Sequence, residues 1–270
     1  MAENEKVSVV IPCYNHEKYL RETVLSVLNS DYSPLEVIIV NDGSTDHSGQ
    51  VAMELVRQYP GVRYIEKKNS GPSAARNTGI GSASGKYILP LDADDLISPS
   101  YIRKAVELLK RENARVVYCE AEFFGEKTGK WILPPFSLRM LAHENMIFCT
   151  ALYQREDWLR CGGYDETMTW GWEDWEFWIS MLKTGGSVMK VPEVGFFYRI
   201  SRNSRRKSTT RAAKIKTVKL INLKHRDFVY EQLSGPLRMH RSLSRVTNLL
   251  LKKMGLLHLN WQMPVYEVRE

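Results

Sequence analysis

Strand-like and helix-like stretches alternate along the first hundred residues, and that order leaves few ways to build a sheet. Val7-Ser8-Val9-Val10-Ile11-Pro12 is a nearly continuous apolar run, as expected of a strand covered on both faces. Glu17 to Asn29 then sets apolar residues at helical spacing. Leu35-Glu36-Val37-Ile38-Ile39-Val40 repeats the strand signal, and Asn41 to Asp46 can turn the chain and cap a helix running towards Tyr59. Val62 to Glu66 predicts a short third strand, Ser73 to Ser84 a helix of small residues, and Lys86 to Leu91 a fourth strand. The alternation predicts an α/β fold with a mostly parallel, Rossmann-like sheet flanked by helices. In such sheets ligands lie beyond the carboxyl ends of the strands, where Tyr14-Asn15, Asp42-Gly43 and Asp92 to Asp95 all fall. Three strand ends therefore converge on one candidate pocket.

The fourth strand ends in acid, Leu91 running straight into Asp92-Ala93-Asp94-Asp95. Three carboxylates within four residues repel one another unless a cation sits among them, so the segment reads as a hard-metal site. That makes metal-assisted handling of a phosphorylated substrate the leading idea. Beyond Ser98 a helix is expected to about Asn113, with further strands at Val116-Val117-Tyr118 and Phe148 to Tyr153. A second motif region, Gly162-Gly163-Tyr164-Asp165 and then Trp170 to Trp178, precedes a helix that stops near Gly185-Gly186.

At 270 residues and 43% hydrophobic content, the chain can bury one main core with a smaller appendage. Cys13, Cys119, Cys149 and Cys161 are scattered, without a zinc-knuckle or redox spacing, and are expected as reduced thiols in a cytoplasmic protein. The polar start, Met1 to Lys6, lacks the features of a signal peptide, and no run approaches the roughly 18 apolar residues that cross a bilayer. The net charge of +7 is unevenly spread: residues 199–270 hold 17 Lys and Arg against 4 Asp and Glu, which leaves 21 against 27 upstream. A helical, basic extension over 201–270 is expected. Its charge suits a solvated helix face, an anionic membrane surface or lipid-linked phosphate, or nucleic acid, though no nucleic-acid motif accompanies it.

Six elements in order, Val9 to Asn15, Val40 to Asp46, Gly71 to Asn77, Leu91 to Asp95, Gly162 to Asp165 and Trp172-Glu173-Asp174, resemble the family-2 glycosyltransferases of the GT-A fold. The resemblance covers roughly residues 6 to 205. It implies a GT-A domain over 1–200, with a nucleotide-binding half to about residue 97 and an acceptor-binding half over 98–200. It also implies sugar transfer from a nucleotide diphosphate donor to a glycan or lipid-linked acceptor, as in cell-surface polysaccharide synthesis at the inner membrane face.

The resemblance assigns Pro12, Tyr14 and Asn15 to the nucleoside pocket, and a carboxylate at Asp42 can accept the imide N–H of uracil, so a UDP-sugar is the expected donor. Asp42 could instead cap the following helix. Asp94 is the implied ligand of Mn²⁺ or Mg²⁺, with Asp92 supporting the ribose or the metal. Arg76 could reach the diphosphate, hold Asp92 in position or lie on the surface. Inversion at the anomeric carbon needs a base for the acceptor's proton, and Asp174 is the favoured one, with Glu173 orienting acceptor or donor; the two could exchange roles, or simply be acids favoured at a helix start. Trp170 and Trp172 are the favoured sugar-stacking residues; Trp175 and Trp178 suit either a sugar or the core. Many relatives place a metal-binding histidine shortly after a Tyr-Arg pair, but here Tyr198-Arg199 continues Ile200-Ser201-Arg202-Asn203-Ser204-Arg205. Arg199, Arg202 or Arg205 could then stabilise the departing diphosphate. The six histidines are isolated and are expected to be surface or packing residues. Two other readings are a sugar nucleotidyltransferase and a non-catalytic module binding nucleic acid or membrane. The first typically carries a Gly-rich basic loop after its first strand, where this chain has Pro12-Cys13-Tyr14-Asn15-His16.

Overall fold

The computed structural model describes residues 5–201 and 210–257. Arg202, Arg205 and His258, and the extension's segments 202–209 and 258–270, lie outside the described residues. Strands β1 (Val7–Cys13), β2 (Leu35–Asp42), β3 (Val62–Lys67) and β4 (Tyr87–Pro90) pair in parallel in the order β3-β2-β1-β4. Every residue from Val37 to Val40 is buried, because helices cover both faces and leave no polar side to the strand. The connecting helices are α1 (Leu20–Leu28), α2 (Ser48–Gln58) and α3 (Pro72–Ser82). α3 lies close to the sheet at Gly79, where an added Cβ would stand 2.4 Å from Val10 Cγ1 and 3.0 Å from Val40 Cγ2.

Past β4 the chain makes β5 (Leu96–Ile97), α4 (Tyr101–Arg111), β6 (Val116–Gly125), β7 (Gly129–Trp131), α5 (Leu138–Leu141), β8 (Leu152–Gln154) and α6 (Arg155–Cys161). It continues into α7 (Glu173–Leu182) and β9 (Val188–Ile200). The sheet extends from β4 as β8-β6-β9-β5, with β7 on the edge of β6, and mixes parallel and antiparallel pairs in this half. β9, with 13 residues, is the longest strand and is absent from the sequence-based expectation. Pro192 lies inside it, and a proline there ordinarily argues against a paired strand. The ladder accommodates it in a bulge: Cys119 pairs with Val191 and Glu120 with Val194, so Pro192 and Glu193 have no ladder partner.

The extension is helical where described, as α8 (Arg211–Lys224), α9 (Arg226–Leu233) and α10 (Ser244–Lys253). Ile221, Phe228, Val229, Leu233 and Leu237 join the same hydrophobic core as the sheet. Among the described residues no helix is long and apolar enough to cross a membrane.

Candidate active site

The first wall forms where β1 and β2 end. Asn15 takes a left-handed conformation (φ 59°) that turns its carboxamide towards the next turn. Its Oδ1 accepts from the Thr45 amide at 2.8 Å, and its own amide donates to Ser44 Oγ at 3.0 Å. Tyr14 is 44% exposed beside it and Pro12 is half-buried, so both line a surface that a flat ring could reach. Asp42 is buried, its carboxylate accepting from Lys67 Nζ (2.8 Å) and the amides of Ser70 (3.0 Å) and Gly71 (2.8 Å). It thus fastens the loop between β3 and α3, and a nucleobase N–H would share its oxygens with those donors. The turn into α2 is held instead by Asp46, whose Oδ1 accepts from the Ser48 amide at 2.9 Å.

The acidic turn after β4 is tied to two distant parts of the chain. Arg76, on α3, donates through Nη2 to Asp92 Oδ1 (2.6 Å) and through Nη1 to Glu173 Oε1 (2.9 Å). It is only 3% exposed, and its guanidinium lies 5.5 Å from the centre of the Tyr164 ring. A planar fork suits this bridge between two carboxylates. Of its three expected places the structure gives Arg76 the one that holds Asp92. Asp95 is buried and accepts from the Arg199 amide at 2.8 Å. Burial, then the charges of Asp94 and Asp92, push its carboxyl well above the usual range.

Arg199 is held by the acidic turn and by two rings. Its Nε donates to the Asp94 carbonyl (2.7 Å), its Nη2 to Glu22 (2.5 Å), and its guanidinium lies between the Tyr19 and Phe124 rings at 4.4 and 4.2 Å. These contacts anchor the acidic turn to β9. Burial and the Asp92 charge raise the Asp94 carboxyl, opposed by His16 and Arg199, and Asp94 forms no ion pair among the described residues. No group of three His, Cys, Asp or Glu side chains among them is placed to hold an ion. Two carboxylates, completed by substrate phosphate and water, nonetheless form a donor set that suits Mg²⁺ or Mn²⁺.

The opposite wall is the start of α7. Trp172 takes φ 64° and redirects the chain, so that Glu173 and Asp174 occupy the first helical turn. Asp174 Oδ2 accepts from Asn145 Nδ2 and its Oδ1 from the Trp175 amide, both at 2.8 Å. Burial first, and the neighbouring Glu173 charge second, push its pKa up to about 7, against the pull of Arg76. Trp175 and Trp178 are fully buried and donate to the carbonyls of Leu141 (2.7 Å) and Ile147 (2.9 Å), which makes them core residues. Trp170 and Trp172 remain half-buried; Trp170 donates to Thr217 Oγ1 at 2.9 Å, and Arg241 stands 5.6 Å from the Trp172 ring centre.

Asn145 and Cys149, whose Sγ lies 3.9 Å from Asp92 Oδ1, were missed by sequence reasoning, because the stretch from His143 to Thr150 carries no motif. His225 is a packing residue as expected, but it pairs with Glu176 on α7 at 2.6 Å.

Residues 8–174 match the description Glycosyl transferase family 2. Among curated relatives, the uncharacterized glycosyltransferase YibD of Escherichia coli is 35% identical over 164 residues, covering 60% of this chain and 45% of YibD. EpsJ of Bacillus subtilis, also an uncharacterized glycosyltransferase, is 31% identical over 216 residues, covering 73% of this chain and 62% of EpsJ. Glycosyltransferase GlyA of Streptococcus pneumoniae is 36% identical over 129 residues, 48% of this chain and 18% of GlyA. The chain thus spans less than two thirds of the length of these relatives. Among solved structures, S. aureus TarS 1–349 in complex with UDP-GlcNAc superposes with a TM-score of 0.70 at 19% identity, covering 90% of this chain and 71% of TarS. The mannosyltransferase PcManGT of Pyrobaculum calidifontis, in complex with GDP-Man and Mn²⁺, gives 0.64 at 18% identity, covering 94% and 84%. A match to more than half of the chain, over a sheet with the acidic turn at a strand end and the α7 carboxylates facing it, makes this protein a member of glycosyltransferase family 2 with the GT-A fold.

Proposed function

We propose that the protein transfers a sugar from a UDP-sugar to a hydroxyl of a glycan or lipid-linked acceptor, with inversion at the anomeric carbon. One observation carries this reading: a carboxylate raised to about 7, Asp174, opens a helix that Arg76 ties through Glu173 to the acidic strand end at Asp92. A base poised near neutrality can take a hydroxyl proton as the bond forms. The acceptor oxygen attacks C1, its proton passes to Asp174, and the bond from C1 to the diphosphate oxygen breaks with its electron pair leaving on UDP. Glu173, held by Arg76, orients the sugar. Pro12, Tyr14 and Asn15 receive the nucleoside, with Asp42 at its edge, and Trp172 stacks on the acceptor. Asp94, with Asp92, would hold Mn²⁺ or Mg²⁺, whose charge when bound offsets that of the leaving diphosphate. UDP-GlcNAc bound to TarS and Mn²⁺ bound to PcManGT support the donor and metal classes at the level of fold. The acceptor belongs to cell-surface polysaccharide synthesis, reached from the cytoplasmic side with the basic extension near the membrane.

A panel of UDP- and GDP-sugars with Mn²⁺, scored by thermal shift and slow donor hydrolysis, tests this. One UDP-sugar should stabilise the protein selectively. Asp174→Asn should abolish transfer and leave UDP binding intact; a response to GDP-sugars alone, or turnover by the variant, overturns the reading.

A further inference from the structure

α10 is built inside out. Ser244, Asn248 and Leu251, spaced as i, i+4 and i+7, point inward, the first two fully buried. Leu243, Val246, Leu249, Leu250 and Met254 are 56%, 56%, 41%, 55% and 60% exposed. The inward polarity has a local cause. Asn248 Nδ2 donates to the carbonyls of Leu233 (3.1 Å) and Pro236 (2.9 Å), its Oδ1 accepts from Arg238 Nε (2.7 Å), and Ser244 Oγ accepts from the Arg238 amide (3.0 Å). These bonds satisfy the turn between α9 and α10. They do not explain five large apolar side chains on the outer face, which continue into Leu256 at 65% exposure.

We infer that this outer face of α10 lies in the surface of an anionic lipid bilayer. The charge argues for that occupant over a protein groove: Arg245 and Lys252, seven residues apart, line one side of the apolar stripe and Lys253 lies within it, while α10 carries no acid. Long basic side chains can lay their stems along apolar surface and raise their heads to phosphates. The same helical unit grips the acceptor side of the site. Arg241, just before α10, stands over Trp172 and Trp175, Lys216 is 5.2 Å from the Trp170 ring centre, and Thr217 accepts from the Trp170 indole. Docking by α10 would therefore set the tryptophan loop towards the bilayer, as a lipid-linked acceptor requires. That last consequence rests on the transferase reading, but the docking itself does not.

Flotation of the full chain with vesicles of neutral phosphatidylcholine, alone or mixed with phosphatidylglycerol, tests docking without any turnover. The chain should float with the anionic vesicles and not the neutral ones, less so as salt rises. Val246→Glu with Leu250→Glu should remove flotation. Lys252→Glu with Lys253→Glu should weaken it at least twentyfold, at roughly fivefold per cation. Because all four positions are on the surface, thermal midpoints and donor binding should stay unchanged. Ile132→Glu, on an apolar side chain 85% exposed elsewhere, should float like the parent. A parent chain that stays with the unbound fraction, or variants that float equally, overturns the inference. So does a dimer in light scattering that Leu250→Glu dissociates while flotation is absent; that result would assign the face to a second copy.

Discussion

Asp174 meets two opposing demands. As the proton acceptor of the proposed transfer it would have to be ionised, yet burial and Glu173 hold its pKa up near 7, so below that pH much of the free enzyme carries a protonated acid. kcat/KM should therefore fall as pH drops through about 7 and level off above it, provided the transfer step is what the assay reads. Asn145 favours the ionised form by donating to Oδ2. Asn145→Ala removes a hydrogen bond to a charged group, worth about 1.5 kcal/mol, and should move the acid limb upward by roughly one pH unit. An unshifted limb would mean that the limb belongs to another group. The Trp-Glu-Asp motif singled out Asp174 as a candidate, whereas its partner Asn145, 29 positions away in a motif-free loop, became visible only through the fold. The same holds for Arg76: its type suited a carboxylate partner, but Glu173 stands 97 positions away along the chain.

At the level of elements, the parallel half was readable because its inner strands β1, β2 and β4 are covered on both faces and so are written mostly in apolar residues. α3 was readable for a related reason: its small residues let it approach the sheet, and the approach sets Arg76 beside Asp92. Two glycines of this helix separate packing from propensity. Gly79→Ala forces a methyl group against Val10 and Val40 and should cost about 1–2 kcal/mol despite the better helix former, lowering Tm by several degrees. Gly81 meets nothing within 4 Å, so Gly81→Ala should raise Tm, by about 0.5–1 kcal/mol of stability. Equal shifts for the two variants, read by thermal denaturation, would remove close packing as the cause. β9 was illegible for the opposite reason. Its proline argued against pairing, and only the bulge opposite Cys119 and Glu120 shows how the ladder tolerates it.

Across the whole molecule, the basic extension braces the wall that α7 forms. Glu176, on α7 two residues beyond Asp174, is fully buried and receives His225 Nε2 at 2.6 Å, Lys224 Nζ at 2.9 Å and Ser180 Oγ at 2.8 Å. Lys224 also reaches Asp165 at 3.0 Å, so α8 and the turn after it hold both ends of the segment that carries Trp170, Trp172 and Asp174. Burial alone would raise the Glu176 carboxyl, but these donors outweigh it and hold it below its ordinary value. For a depressed carboxyl, the stabilisation is present above the unfolded pKa, near 4.3, and is lost as pH falls through the folded value. Glu176→Gln keeps the shape and removes the charge. It should lower Tm by several degrees at pH 7, for a loss of about 1–3 kcal/mol, and the gap to the parent should close as pH falls below about 4. If this wall receives the acceptor, as proposed, the same variant should raise KM for acceptor more than KM for donor. A Tm gap that persists unchanged at pH 3, or donor and acceptor affected alike, would reduce Glu176 to ordinary packing and separate the extension from the site it adjoins.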